Sequence, residues 1–527
     1  TTFIANIYGQ YTPLRGIYHK LDLKLGWRFR NDSYNLAYGR GLNTSSDYMN
    51  SMGNTTASLR TSVGVDSKQR NLAWFFSGEY SWMNRYFLAV DASMETSNRF
   101  GKEAKGALHM AGVSWAFFPA VNASWVFSSE EWMKNLTWLD YGRLRLGWEL
   151  TGNDNLPDYA TESYFTSAGL LGNAFGLVLD NIGNDGLKWE QTSTFRAGLD
   201  ASLFHNRWSF ALDFFKSRTS NLLVRKQLNE IAGLDWYWTN GGSLDNTGVN
   251  FSTTVRALDL RDWKLDLGAS IGHYRNRVHK LDDGSFITTI DGAQVLTSEG
   301  NPLGVFYGYR TEGVFSTSAE ARAANLAVRN ANGTLTPFAA GDMRFADNGD
   351  GIIDEADRTI IGDPNPDVYG NFNFRLQWKR FALSSLFTYS VGNDVYNALR
   401  ANLESGSEIH NQSTALMNRW VAEGQQTSIP RATYGDPMGN ARFSDRWIED
   451  GSYLKWKSIQ LTYDIPIRST FLQGVSVWVA VNNLCTWTKY LGPDPEFYSG
   501  LTPLSMGIDN GLTGASREFN FGVKIHL

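Results

Sequence analysis

Cysteine is all but missing from this 527-residue chain: Cys485 stands alone, and a lone thiol excludes a disulfide-stapled scaffold. Charge is scarce too, with Asp, Glu, Lys and Arg at 19% against about 25% in an average globular protein. The 48 basic and 53 acidic side chains leave a net charge of −5. A nucleic-acid binder would show a basic footprint, so no nucleic-acid partner is expected. No run of about 18 apolar residues exists; stretches such as Trp115–Phe118 are soon interrupted. A membrane-crossing helix is therefore excluded. Thr1–Thr12 has neither a basic start nor a continuous apolar core, so no signal peptide is read there. What the chain has in plenty is aromatics: 19 Trp, 23 Tyr and 31 Phe, 14% of all residues. That is far more buriable surface than a disordered chain carries.

With helices excluded, a membrane protein can span only as a closed β-barrel. Its strands alternate apolar and polar residues, with aromatics near both ends and turn residues between. That alternation recurs here. Trp263, Leu265, Leu267, Ala269 and Ile271 interleave with Lys264, Asp266, Gly268 and Ser270. Phe372, Phe374, Leu376 and Trp378 interleave with Asn371, Asn373, Arg375 and Gln377, and Phe519, Phe521, Val523, Ile525 and Leu527 with Asn520, Gly522, Lys524 and His526. A period of two puts each set on its own face of a sheet. A soluble sandwich alternates in the same way, and alternation alone does not separate the two. The membrane reading is favoured by polar faces that are mostly small and uncharged. Aromatic clusters at strand ends, such as Trp74–Phe76 and Trp236–Trp238, also suit interfacial girdles.

The reading is an all-β protein of fourteen to sixteen strands, many paired as hairpins. Expected hairpins include Ala73–Trp82 with Tyr86–Met94, Thr247–Leu258 with Trp263–Tyr274, and Tyr369–Trp378 with Ala382–Val391. Some turns are tight, as at His205-Asn206. Three connections are long: 151–186, 280–364 and 393–450. Short turns on one side and long extracellular loops on the other are what outer-membrane barrels show. The whole chain, 1–527, is thus read as one barrel portion.

Specific strings then narrow the reading. They include Arg85-Tyr86-Phe87-Leu88, Phe118-Pro119-Ala120-Val121, Leu187-Lys188-Trp189-Glu190, and Gly341-Asp342 through Asp347-Asn348-Gly349-Asp350-Gly351-Ile352-Ile353-Asp354. Gly392-Asn393-Asp394-Val395-Tyr396-Asn397, Asp450-Gly451-Ser452-Tyr453-Leu454-Lys455 and Asp494-Pro495-Glu496 follow. In this order, they resemble the C-terminal barrel portion of the SusC/RagA family of TonB-dependent outer-membrane transporters of Bacteroidetes. The resemblance implies a transmembrane antiparallel β-barrel of about 22 strands closed by a plug. It also implies a SusD/RagB-like lipoprotein lid, energy from TonB–ExbB–ExbD through the plug, a glycan or peptide ligand, outer-membrane lipid around the strands, and a dimer of transporter–lipoprotein pairs. Neither plug nor TonB-contacting segment is visible here, so the chain is expected to be a fragment or to be completed by another chain. Leu527 departs from the aromatic that commonly ends such barrels.

Two sets of candidate site residues follow. In the acidic turn, Asn348, Asp350, Asp354 and Asp357 around Gly351 are oxygen donors spaced for a structural Ca²⁺; against this, the position two before Asn348 is Ala346, and a solvated turn capped by its own carboxylates explains the same residues. Trp236, Tyr237, Trp238, Tyr307 and Tyr309 are candidate stacking platforms for sugars or peptides, with girdle or loop packing as the plainer explanation. No catalytic constellation appears: none of the seven His opens an HExxH, and Gly101-Lys102 runs into Glu103, which is no phosphate loop. No cofactor is required and no enzyme is expected. The expectation is energised import of an oligosaccharide or peptide. A scaffold barrel without transport and a soluble carbohydrate-binding β-protein are the alternatives.

Overall fold

Hydrogen-bonded strands follow one another in space as they do in the chain. The computed structural model describes residues 1–526 except 17, 50, 171–173, 229–230, 232, 235, 468–471, 473, 499 and 501. Contacts divide the chain into two units: Thr1–Lys134, Arg143–Ala197 and Lys216–Leu244, and Asn135–Gly142, Gly198–Phe215 and Asp245–Leu527.

The first unit holds β1 (Thr2–Arg15), β2 (His19–Gly41), β3 (Arg60–Trp82), β4 (Tyr86–Ser97) and β5 (Val113–Trp125). Each pairs antiparallel with the next. The three-residue turn Met83–Arg85 between β3 and β4 places Met83 and Asn84 at φ 53° each, the left-handed conformation that tight hairpin turns use to match the twist of their strands. Four strands have residues in both units: β6 (Leu139–Asn153), β7 (Glu190–Leu203), β8 (Trp208–Ser220) and β9 (Ser243–Asp259). The second unit carries β10 (Trp263–Lys280), β11 (Val368–Trp378), β12 (Phe381–Val391), β13 (Tyr453–Ile465), β14 (Gly474–Thr488) and β15 (Glu518–His526). Among the described residues these fifteen strands, with Leu108–Met110 beside β5 as a sixteenth, agree with the sequence expectation. Leu527 lies outside the described residues.

Register turns alternation into two chemically distinct faces. From β10 to β13, Trp263, Trp378, Phe381 and Tyr463 stand opposite one another, with ring centroids 5.6, 5.9 and 4.6 Å apart. Further along, Phe372, Phe387 and Trp456 stack at 4.4 and 5.1 Å. On this face large apolar side chains are open to solvent, up to 86% for Phe521. A water-soluble protein rarely shows an apolar patch of that extent. The reverse face of the same strands carries Ser270, Asn371, Thr388 and Ser390.

The apolar face has a defined height. On β10 it runs from Trp263 to Ile271, about 27 Å along an extended strand. Beyond that, the same parity brings His273, Arg275, Arg277 and His279, all exposed. The first unit makes the same change. Leu21, Leu23, Leu25, Trp27 and Phe29 of β2 share a face with Tyr80, Gly78, Phe76, Trp74 and Leu72 of β3, and that face continues as Asn31, Ser33 and Asn35 opposite Arg70, Lys68 and Asp66.

Glycine opens room for cross-strand tyrosines at two places. A Cβ on Gly370 would lie 2.0 Å from the Ser270 carbonyl oxygen and 2.8 Å from the Tyr389 hydroxyl, and Tyr389 donates to that carbonyl at 3.0 Å. Gly272 likewise sits under the Tyr369 ring, whose hydroxyl donates to Asn250 Oδ1 at 3.3 Å.

The second unit keeps its buried core in the long connections. Within 280–364, the strands Phe286–Ile290, Ala293–Thr297, Val305–Gly308 and Thr359–Gly362 form a four-stranded sheet. A short helix, α1 (Ser318–Ala324), is capped by Thr317, whose side chain accepts from the Glu320 N–H. Segments of two connections, Asp394–Asn397 and Ile448–Asp450 from the one before β13 and Ile508–Asp509 from the one after β14, make a three-stranded sheet. Val295, Phe306, Tyr396, Phe443, Trp447 and Ile508 bury one core there. Phe315, Leu326, Phe338, Met343, Phe345 and Ile353 bury a second. In the first unit, the connection 151–186 carries the paired strands Tyr164–Leu170 and Ala174–Asn181. These connections are folded segments rather than plain loops.

Candidate functional site

The polar face of β9 to β13 lines a cleft of about 480 Å³ in the second unit. Asn250, Ser270, Tyr369, Asn371, Tyr453 and Glu496 are among the residues around it. Strand parity delivers most of them: residues two apart share a face, so the positions alternating with the aromatic rows converge here. Asn371 donates to Ser270 Oγ at 2.7 Å. Glu496 comes instead from the connection after β14 and is fixed by Lys457 at 2.7 Å and Lys455 at 3.1 Å. Hydroxyls and amides both donate and accept, so this face matches a hydroxyl- or amide-rich solute.

Buried charge holds the connections in place. Asp342, fully buried, accepts from Arg431 Nε at 2.8 Å and Nη2 at 3.1 Å, from Asn440 Nδ2 at 3.0 Å and from the Ala339 N–H at 2.8 Å. A forked guanidinium on a carboxylate fixes direction as well as distance. Arg400 pairs with Glu449 and, at 3.3 Å, with Glu404. Burial pulls the Arg446 guanidinium down to about 10, with the Glu404 charge opposing the shift. Burial also pushes the Tyr396 hydroxyl up to about 12 and raises the Asp394 carboxyl, with Asp363, Asp450 and Asp367 adding to it and the Asp363 N–H opposing.

The acidic turn closes on itself. Asn348 accepts from the Asp350 N–H at 3.1 Å, Asp350 from the Ile352 N–H at 2.8 Å and Asp354 from the Ala356 N–H at 2.8 Å. Asp357 accepts from the Asn348 N–H at 2.8 Å and the Asp354 N–H at 2.7 Å, tying both ends of the loop. Among the described residues no group of three or more His, Cys, Asp or Glu side chains is arranged to hold a metal ion.

The aromatic candidates are divided between the two units. In the first unit, Trp236 and Trp238 lie on one side of a strand paired with Leu223–Gln227, with the Arg225 guanidinium 4.1 and 5.0 Å from their ring centroids. Tyr237 alternates to the other side. Their rings already stack on a cation. In the second unit, Tyr309 packs 5.8 Å from Phe345 and carries Arg442 at 4.8 Å, which makes it part of the loop core. Tyr307 pairs with Ile360 in the four-stranded sheet. Sequence reasoning missed Asn250, Tyr369 and Asn371; the Asn and Tyr positions alternating with the aromatic rows were the available signal.

The family model described as TonB dependent receptor-like, beta-barrel matches residues 2–484. TonB-dependent receptor P3 of Formosa agariphila is 30% identical over 466 residues, covering 85% of this chain and 44% of that protein. TonB-dependent receptor SusC of Bacteroides thetaiotaomicron is 26% identical over 515 residues, covering 94% and 48%. Among solved structures, the RagAB peptide transporter superposes with a TM-score of 0.80 at 22% identity, covering 99% of this chain and 55% of that one, a likeness of fold. The chain spans about half the length of the curated relatives it matches.

Proposed function

Because the chain belongs to the TonB-dependent receptor-like β-barrel family, a family of the bacterial outer membrane, we propose that it forms the transport barrel of an importer for an oligosaccharide or a peptide. It works with a SusD/RagB-like surface lipoprotein over the mouth, and TonB–ExbB–ExbD supplies energy by acting on a plug. The connections 151–186, 280–364 and 393–450 lie on the extracellular side.

One observation carries the reading beyond the family. The polar face is rich in hydroxyls and amides, and its cleft is rimmed by Asn250, Tyr369, Asn371 and Glu496. Such groups suit transient hydrogen bonding to a polar, largely uncharged solute in passage. The test is uptake of labelled oligosaccharides and peptides by cells with and without the protein, and with and without functional TonB. Uptake of one class that disappears in both deficient strains supports the proposal. Surface binding with no TonB-dependent uptake would leave a scaffold role instead.

A further inference from the structure

On β10 the membrane-facing side changes chemistry at a single step. Trp263, Leu265, Leu267, Ala269 and Ile271 occupy one face; the next four residues of the same parity are His273, Arg275, Arg277 and His279. The apolar stretch of about 27 Å is close to the roughly 25 Å apolar band of an outer-membrane barrel. The basic row therefore begins where the acyl chains end and points outward, toward headgroups rather than into the passage. Among the described residues, neither Arg275 nor Arg277 forms an ion pair. His273 Nδ1 is 2.6 Å from the Asp367 carbonyl oxygen, and Asp245 stands 3.6 Å from His279, leaving the two guanidiniums as the charged centre of the row. The first unit repeats the step on its own β3, where Arg70 and Lys68 follow Leu72. The row lies at the strand ends that lead into 280–364, away from the tight turn at Arg261.

We propose that Arg275 and Arg277, flanked by His273 and His279, bind the phosphate groups of an anionic glycolipid in the outer leaflet. Guanidinium forks suit phosphate oxygens, and basic residues beside a membrane surface recognise anionic headgroups. The leaflet assignment rests on reading 280–364 as extracellular.

The test titrates the intact protein, purified in detergent, with lipid A carrying both phosphates, and reads binding by native mass spectrometry. Arg275→Gln/Arg277→Gln weakens binding about 30-fold. The matched control Lys379→Gln/Arg380→Gln, at the other end of the same apolar band, leaves it unchanged. Dephosphorylated lipid A reproduces the loss with the unaltered protein. Equal losses in both variants, equal binding of the two lipids, or full competition by inorganic phosphate each overturn the glycolipid site. Unfolding midpoints without lipid show that both variants fold. The leaflet is checked separately: Asn332→Cys in a Cys485→Ser background is labelled on whole cells by an impermeant maleimide. Labelling supports the outer leaflet. Its absence overturns the sidedness while the detergent titration still reads the phosphate contact.

Discussion

Lys455 Nζ lies 2.6 Å from Asp494 Oδ2, with both side chains buried. The lysine comes from β13 and the aspartate from the connection after β14, so one ion pair fastens a folded connection to the sheet. Glu496 closes on the same ammonium at 3.1 Å, and the Ala515 N–H donates to Asp494 at 3.2 Å. Removing one partner of a buried pair is costly because the other charge stays behind. Lys455→Met is expected to cost about 3–5 kcal/mol, read as a lower unfolding midpoint in detergent. Lys455→Met/Asp494→Leu should recover a large part of it. A double variant as damaged as the single one would mean that the pair is not what matters there.

Asp394 predicts a pH dependence. Burial raises its folded pKa above the ordinary 3.8, so the folded state favours the protonated form. The associated stability is complete below 3.8 and is lost as pH rises through the raised value. Asp394→Asn keeps an acceptor for the Asp363 N–H, now at 2.8 Å, and cannot ionise. Unfolding compared at pH 3.5 and pH 7 should show the variant gaining on the native protein toward neutrality. Parallel profiles for the two proteins would refute this.

Gly370 predicts a steric cost. A Cβ there meets backbone, not a flexible side-chain tip, so Gly370→Ala should destabilise by about 1–3 kcal/mol. A Cβ on Gly474 would meet nothing within 4 Å, and Gly474→Ala should stay within about 0.5 kcal/mol of neutral. Thermal unfolding of the two variants side by side decides it.

The acidic turn should be indifferent to calcium. Its carboxylates already accept backbone N–H bonds, so neither added CaCl₂ nor EDTA is expected to move the unfolding midpoint. A calcium-dependent rise that Asp357→Asn abolishes would reverse that conclusion.

Strands were legible in the sequence because their information is local. Trp263 to Ile271 alternate strictly, and both faces of β10 follow from that period. The connections were not legible, since their order rests on pairings with no period. Asp342 meets Arg431 and Asn440, 89 and 98 residues away, and nothing near any of the three announces the others. At Asn348–Asp357 the intervals fit a metal loop and a self-capping turn equally, and the turn's own hydrogen bonds show only once the backbone is placed. At Trp236 and Trp238 the sequence shows the rings but not Arg225, which strand pairing sets over both. The cleft residues Asn250 and Asn371 escaped notice because each is an ordinary polar position until neighbouring strands bring them together.

Alternation has one weakness as a folding instruction: a strand that slides by two residues keeps every side chain on its proper face. Such a slip would set Phe372 or Val368 beneath Tyr389 in place of Gly370. The phenol could then no longer reach over to Ser270. Gly272 beneath Tyr369 makes the same demand one strand earlier. These paired notches work like the teeth of a vernier, singling out one alignment among several that hydrophobicity would accept.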